Sequence, residues 1–454
     1  MNGRLLAFAG AVWLIAASIG AQTESRLTHR VWLATPDLSA EDVAQLRAAG
    51  VDSAVVPVGQ ASIAKGSTHL SLRSLPDLKG LAGWAVLPMV WVEGSGEDTG
   101  DAAAFLSQFS VVATMFQGGG GVILAARQFW PGLPRFASAL AKNLGKQVEL
   151  ALPARVAAEQ EPPGGWNGVV TVAVAFGNAS ALGFPSSVLH DDLAALDALD
   201  DRGITYRVVI VVSSKVNPEP NAGPVGLATL ASATVADYRP GERGDQFVLR
   251  APLNWGGTVL STGSTIELEL EDTARYDRDL GLLLRPVRFG FLGWDTAMLP
   301  PHEPTLGMSR EAFLDYLMGG SPIPRPEVDA EWISPTTLRV AVSNPAPHGS
   351  AAATHGNWID LAYPGGMLGE VELGDFRGVD YGHPSAGSFR RTGAGEATAI
   401  RLFLTCLAPS SHQGGALIRF VARPNELRTR WGVRLSDGRE ISSSFVPLAA
   451  SKAR

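Results

Sequence analysis

The stretch from His29 to Val58 constrains most tightly how this chain can fold. It reads as an apolar strand (Arg30-Val31-Trp32-Leu33-Ala34), a helix, and a second apolar strand from Ser53 to Val58. Ser39 stands where a helix N-cap belongs, Asp42 three residues later completes a capping box, and Gly50 closes the helix. Ala40, Val43 and Leu46 give that helix one apolar face. Strands that are apolar throughout, instead of alternating, are covered on both faces. That is the mark of a parallel β-α-β unit.

The unit recurs as far as Met318. Ala85 to Val92 predicts a third strand, ending at Glu93, and a helix capped by Asp101 follows, with Ala102, Phe105, Leu106 and Phe109 in helical spacing. Val122 to Ala125 is the fourth strand. Leu133, Phe136, Ala137, Leu140, Ala141 and Leu144 then make the clearest helical stripe in the chain. Val148–Leu152, Val169–Ala175 and Tyr206–Val212 supply strands five to seven, with a helix over Asp191–Asp201. Phe289 to Trp294 is the eighth strand, ending at Asp295, and a helix from Ser309 to Met318 closes the region. Eight strands with intervening helices predict a (β/α)8 barrel of the TIM type, and a doubly wound open sheet is the alternative. Between residues 223 and 272 the pattern turns antiparallel, an inserted β excursion.

The segment 321–327 is a Pro-rich linker, and beyond it the helical period disappears. Five short alternating strands separated by turns predict a C-terminal antiparallel β-sandwich over 328–450. The expected organisation is a signal peptide at 1–21, the barrel over 22–320, the linker and the sandwich. Arg4 supplies the positive end of the leader, Leu5–Ile15 its apolar run, and Ser18–Ala21 a small-residue cleavage site, so a periplasmic or secreted location is expected, with no membrane span after cleavage. Of the 454 residues, 46% are hydrophobic and 18% charged, enough apolar content for a large core. A net charge of −7 without long charge runs gives no footprint for nucleic acid. Cys406 is the single cysteine, set in an alternating apolar run, and reads as a core thiol.

In such a barrel, chemistry sits where the strands end. That rule selects a ring of Asp37, Gln60, Glu93, Arg127, Arg155, Asn178, Lys215 and Asp295, with Trp91, Trp130 and Trp294 close to the same rim as sugar-stacking candidates. Glycoside hydrolysis needs two facing carboxylates, and Glu93 with Asp295 is the one tolerable pair. Against that stands the plainer reading, a strand-end carboxylate that is solvated or paired to Arg. Arg127, Arg155 and Lys215 are candidate holders of an anionic ligand group, or partners of nearby acids. His190-Asp191-Asp192 and His302-Glu303 lack metal-ligand spacing, Gly118–Gly121 precedes a strand instead of a helix, and no Gly-x-Ser-x-Gly elbow is present. No cofactor or metal is therefore expected. Trp332, Trp358 and Trp431 of the sandwich are either a sugar platform or core residues.

Arg30-Val31-Trp32 opening the first strand, Gly121 to Arg127 leading into a helix, and Arg207–Ser213 after the Asp191–Asp201 helix carry a family resemblance. From His29 to about Met318 the chain resembles an uncharacterised family of exported bacterial proteins, a domain of unknown function with a glycosidase-like barrel. The resemblance implies acidic residues after the fourth strand, where this chain has Ala125, Ala126 and Arg127. Barrel glycosidases also carry a nucleophile after the seventh, where Lys215 stands. Two functions follow as expectations: a non-catalytic or degenerate barrel binding glycan or an envelope protein, and, alternatively, an active hydrolase using Glu93 and Asp295.

Overall fold

The computed structural model describes residues 27–34, 38–73, 78–116, 121–160, 169–177, 182–184, 189–220, 226–241, 244–302, 306–385 and 388–452. The leader, Asp37 and Asn178 lie outside them.

The strands β1 (Thr28–Trp32), β2 (Ser53–Ala64), β4 (Ala85–Glu93), β5 (Gly121–Ala125), β6 (Gln147–Pro153), β7 (Val170–Gly177), β8 (Tyr206–Val211) and β15 (Phe291–Ala297) pair in parallel, and β1 closes the ring by pairing with both β2 and β15. This is the (β/α)8 barrel. β2 outruns its expected end and turns at Lys65-Gly66 into β3 (Ser67–Leu72), so Gln60 lies inside a hairpin and not at a strand end.

Three helices of the barrel form where caps and periodicity place them. In α1 (Ala40–Ala48) the Ser39 hydroxyl accepts from the Asp42 amide and the Asp42 carboxylate accepts from the Ser39 amide, and Gly50 follows with a φ of +86°. The Asp101 carboxylate caps α2 (Ala102–Ala113), and Gly145, at φ +63°, ends α3 (Leu133–Leu144). α4 (Ala154–Glu159) and α5 (Leu189–Asp201) follow β6 and β7.

Between β8 and the last barrel strand comes the excursion. β9 (Lys215–Asn217), β10 (Ala236–Pro240), β11 (Asp245–Leu249) and β14 (Thr265–Glu269) form a four-stranded sheet, with α6 (Leu227–Ala231) and a hairpin of β12 (Leu253–Trp255) and β13 (Thr258–Leu260) beside it. Lys215 thus opens this sheet instead of standing on the barrel rim. The chain returns through α7 (Thr273–Leu284) to β15, and α8 (Arg310–Leu317) completes the helical layer.

The C-terminal unit is antiparallel apart from one short parallel edge pairing. One sheet contains Glu327–Trp332, Thr337–Asn344, Met367–Glu372 and Ser411–Ala422. The other contains Asn357–Ala362, Gly378–Ser385, Ala399–Leu404 and Arg428–Arg434. A core including Leu338, Val340, Ile359, Leu361, Ile400 and Ile418 lies between them. Trp332 is buried with Arg423 stacked on its ring, and Trp431 packs against this core. Trp358 sits on the opposite face of its sheet beneath Arg401, so the three tryptophans share no platform. The excursion does not form an isolated lobe: Trp255, Phe247 and Leu306 share a cluster with Cys406 and Ala408 of the sandwich. Among the described residues no helix is long and apolar enough to cross a membrane.

Candidate functional site

The barrel lumen is built in layers. Arg30 on β1, Glu149 on β6, Thr171 on β7, Arg207 on β8 and Asp295 on β15 all point inward and form one hydrogen-bonded group. The Arg30 guanidinium donates Nε to Asp295 Oδ1 at 2.8 Å and Nη2 to Oδ2 at 2.7 Å, while its Nη1 reaches Glu149 at 2.9 Å. Arg207 Nε adds a bond to Oδ1 at 2.8 Å, and the Trp32 indole donates to Oδ2 at 2.8 Å. Thr171 takes an Arg30 hydrogen bond and donates to Glu149. Two cations and two carboxylates, neutral in sum, meet the requirement that buried charges be paired. Burial by itself would raise the Asp295 pKa, but the guanidiniums of Arg30 and Arg207 hold it well below the usual carboxylate range.

This group is shut off from the mouth where the strands end. Toward that end, the next inward residues are Trp32, Ala151, Ala173, Val209 and Ala297, all apolar and all in one buried cluster. Leu182 and Phe184, from the segment after β7, close the cluster above, and Phe184 packs on Trp91 with ring centroids 5.2 Å apart. Asp295 is 0% exposed.

The expected acid pair is therefore not brought together. Through Arg30 and Ser53 the strand register leads from Asp295 to Ala85 of β4. In the other direction it passes Val209, Ala173 and Pro153 and, continued along β6 and β5, comes level with Glu93. The two crossings lie eight residues apart, the shear of about 8 typical of these barrels. Asp295 is three strands from the lower crossing, so it lies about five residues below Glu93, or about 13 Å along the axis at ~3.3 Å per residue and a ~36° tilt. Glycosidase carboxylates stand roughly 5–10 Å apart.

The remaining sequence-selected residues scatter. Glu93 is exposed at the end of β4. Arg127 lies over the Trp91 ring at 5.3 Å, and Gly183 leaves it room, since a Cβ there would come within 2.8 Å of the Arg127 guanidinium. Those three residues form a small rim patch beside Phe184. Trp130 is buried instead, its indole donating to the Asp98 carbonyl and its ring covering Gly94. Trp294 faces outward from the barrel, stacked on His29 at 4.8 Å and donating to the Tyr276 hydroxyl. Arg155 is on α4, paired with Glu159 at 3.4 Å and near Asp191 at 3.8 Å, while Lys215 is 3.9 Å from Glu269. His302 bonds Asp42 of α1. Among the described residues no His, Cys, Asp and Glu side chains gather as a metal site.

The ring of residues selected from the sequence held neither Glu149 nor Arg207. The signal was there: Glu149 and Arg207 each interrupt a continuously apolar strand, and a charge in such a place must find a counter-charge inside.

No protein-family model matches the chain, and no curated protein does. Among solved structures it is similar to the spore cortex-lytic enzyme SleL of Bacillus megaterium QM B1551, at 11% identity over 61% of this chain and 72% of that one, with a TM-score of 0.36. It is also similar to the glycoside hydrolase family 30 subfamily 8 xylanase Xyn30A of Clostridium acetobutylicum, at 8% identity over 87% and 96%, with a TM-score of 0.30. Likenesses this distant add nothing to the assignment of the site. The barrel itself rests on the strand register.

Proposed function

We propose that this chain is a degenerate glycosidase-type barrel that binds glycan without cleaving it. The observation that carries the reading is the state of Asp295, enclosed in the lumen and held by two guanidiniums and an indole. A carboxylate so placed neither reaches a glycosidic bond nor exchanges a proton near neutral pH. Glu93 stands on the rim, about 13 Å above Asp295 along the barrel axis at ~3.3 Å per residue and a ~36° tilt, too far to complete an acid pair with it. What the rim does offer is the Trp91 ring with the Arg127 guanidinium over it and, two residues further along β4, the exposed Glu93. Such a trio suits stacking on a sugar face, with hydrogen bonds to ring hydroxyls. The export leader read from the sequence supports a ligand of the cell envelope.

The test is a glycan array probed with the purified mature protein, with released reducing ends assayed on every hit. Retention without release is expected, weakened at least tenfold by Trp91→Ala. Release abolished by Glu93→Gln would establish the hydrolase reading instead. Failure to retain any glycan would overturn glycan binding and direct attention to an envelope protein as partner.

A further inference from the structure

The end of the barrel where the strands begin, opposite the mouth, carries a concentration of exposed apolar side chains. α7 runs toward that end and stops at Leu284, and residues 285–290 lead from it into β15. In this loop Phe289 is 93% and Val287 84% exposed, and Leu284 is exposed too. Leu27 enters the fold at the same edge, since Thr28 pairs with Gly293 near the start of β15, and it is likewise exposed. Val111 and Met115, in and just beyond the last turn of α2, stand exposed at this end as well. Single apolar residues on a surface are ordinary, but a group of them marks a contact face.

The loop displays these side chains because its backbone is pinned. The Arg288 side chain is buried, and its guanidinium donates to Asp197 at 2.7 Å and lies 3.6 Å from Asp200. Beyond it, the Gly290 amide donates to Asp200 at 2.8 Å, and the Gly290 carbonyl accepts from the Tyr206 amide. A Cβ on Gly290 would come within 2.2 Å of the Ile204 carbonyl oxygen, so the chain passes close against the turn between α5 and β8. With Arg288 held inward, Val287 and Phe289 on either side of it are turned to solvent. A fixed backbone thus keeps a phenyl ring and an isopropyl group in water, where apolar area is least favourable. The charges around the loop are mixed, Arg202, Arg285 and Arg288 standing among Asp197, Asp200 and Asp201.

The leader read over residues 1–21 ends five residues before Leu27, a link that spans at most about 18 Å when fully extended. While that leader is attached, the end of the barrel nearest the bilayer is the one bearing Leu27 and Phe289. We propose that this end is a membrane-contact surface, with Phe289, Val287 and Leu27 inserted among the headgroups of a phospholipid bilayer. Apolar side chains entering the interfacial region supply the attraction, and the balanced charges around the loop leave lipid charge little part in it. A bilayer resting here leaves Trp91 and Glu93 at the far end of the barrel, facing away from the membrane. The proposal rests on the export leader and is independent of glycan binding.

Flotation of the mature protein, from Gln22 onward, with phosphatidylcholine vesicles tests the assignment, with vesicles that also contain phosphatidylglycerol run beside them. The protein is expected to float with both, and added salt should not release it. Val287→Ser combined with Phe289→Ser should weaken flotation about tenfold or more, and because both residues are exposed the variant should keep its circular dichroism spectrum and melting temperature. Phe289→Cys carrying an environment-sensitive fluorophore should shift to the blue on vesicles, since Cys406 is buried and stays unlabelled, while the same label at Met367→Cys of the sandwich should not shift. No flotation, or flotation unchanged in the double variant, would overturn the proposal. So would flotation only with phosphatidylglycerol and only at low salt, which would make the contact electrostatic. A dimer in the absence of vesicles that the double variant dissociates would overturn it as well, by assigning the loop to a contact between copies of the chain.

Discussion

At the scale of single residues, the molecule is defined by charges in places where charge is costly. Asp295 is stabilising only as long as Arg30 and Arg207 answer it. In Asp295→Asn both guanidiniums remain in the lumen with one counter-charge too few. Breaking a buried pair of this kind costs about 3–5 kcal/mol, so the urea midpoint should fall sharply. A change smaller than ~1 kcal/mol would show that water enters the lumen and screens the group. His29, on the outer face of β1, makes a second case. It is 3% exposed, bonded to Thr296 Oγ1 at 2.8 Å and stacked on Trp294. Burial chiefly, with the Arg207 charge adding to it and Asp295 opposing, lowers its pKa from 6.5 to about 3. The unfolded chain therefore binds a proton below pH 6.5 that the folded chain refuses until about pH 3. This contribution is complete above pH 6.5 and is lost as the pH falls toward 3. Between pH 7.5 and 5.0, His29 alone should remove roughly 2 kcal/mol of unfolding free energy. His29→Gln should be flatter by that amount over the same window, and identical slopes would refute the argument.

At the scale of elements, one glycine decides which way the last barrel strand faces. The β15–β8 register shifts between Phe291 and Trp294, and Gly293 sits in that bulge at φ +140°. A Cβ there would lie 1.9 Å from the Thr28 carbonyl oxygen. The bulge accompanies the arrangement in which Asp295 points into the lumen and Trp294 out against α7, so Gly293→Ala should damage both layers together. We expect a loss of at least ~3 kcal/mol by urea unfolding, combining backbone strain with the broken ion pairs. This is also where legibility in the sequence ended. The existence of the eight strands and of α1, α2 and α3 could be read from continuous apolar runs, caps and periodicity. The direction of each side chain could not. A strand covered on both faces has no polar alternation to reveal its parity, so Trp91 on the rim and Trp294 behind the barrel looked alike. The partners of Asp295 are equally invisible in a linear reading, since Arg30 is 265 residues away and Arg207 is 88. By contrast, the Ser39–Asp42 capping box is local and legible. What the sequence did not disclose there is Arg310 of α8, which donates to Asp42 at 2.9 Å. Ser39→Ala should cost about 1 kcal/mol, and Asp42→Ala clearly more, because it also strands a buried guanidinium.

At the scale of the whole molecule, barrel, excursion and sandwich are joined by bonds that an independent appendage would not need. His348 of the sandwich bonds Asp315 of α8 at 2.8 Å and lies 3.2 Å from the Thr273 hydroxyl of α7. The Ser436 hydroxyl donates to Asp272, the cap of α7, and Arg439 reaches Asp277 on the same helix. Beneath these contacts Phe247, Trp255 and Ile266 of the excursion share their core with Cys406 and Ala408. The sandwich thus covers apolar surface that the excursion cannot cover alone, and burial of such surface is worth roughly 25 cal/mol per Å². A chain ending at Gly320 should accordingly lose more than the sandwich. Its excursion would present buried aromatics to water, and the truncated protein should aggregate or unfold well below the intact one. In calorimetry the intact chain should melt in one transition whose van't Hoff and calorimetric enthalpies agree. Two separated transitions, or a soluble truncated barrel with the melting temperature of the intact protein, would show that the junction is a mere tether.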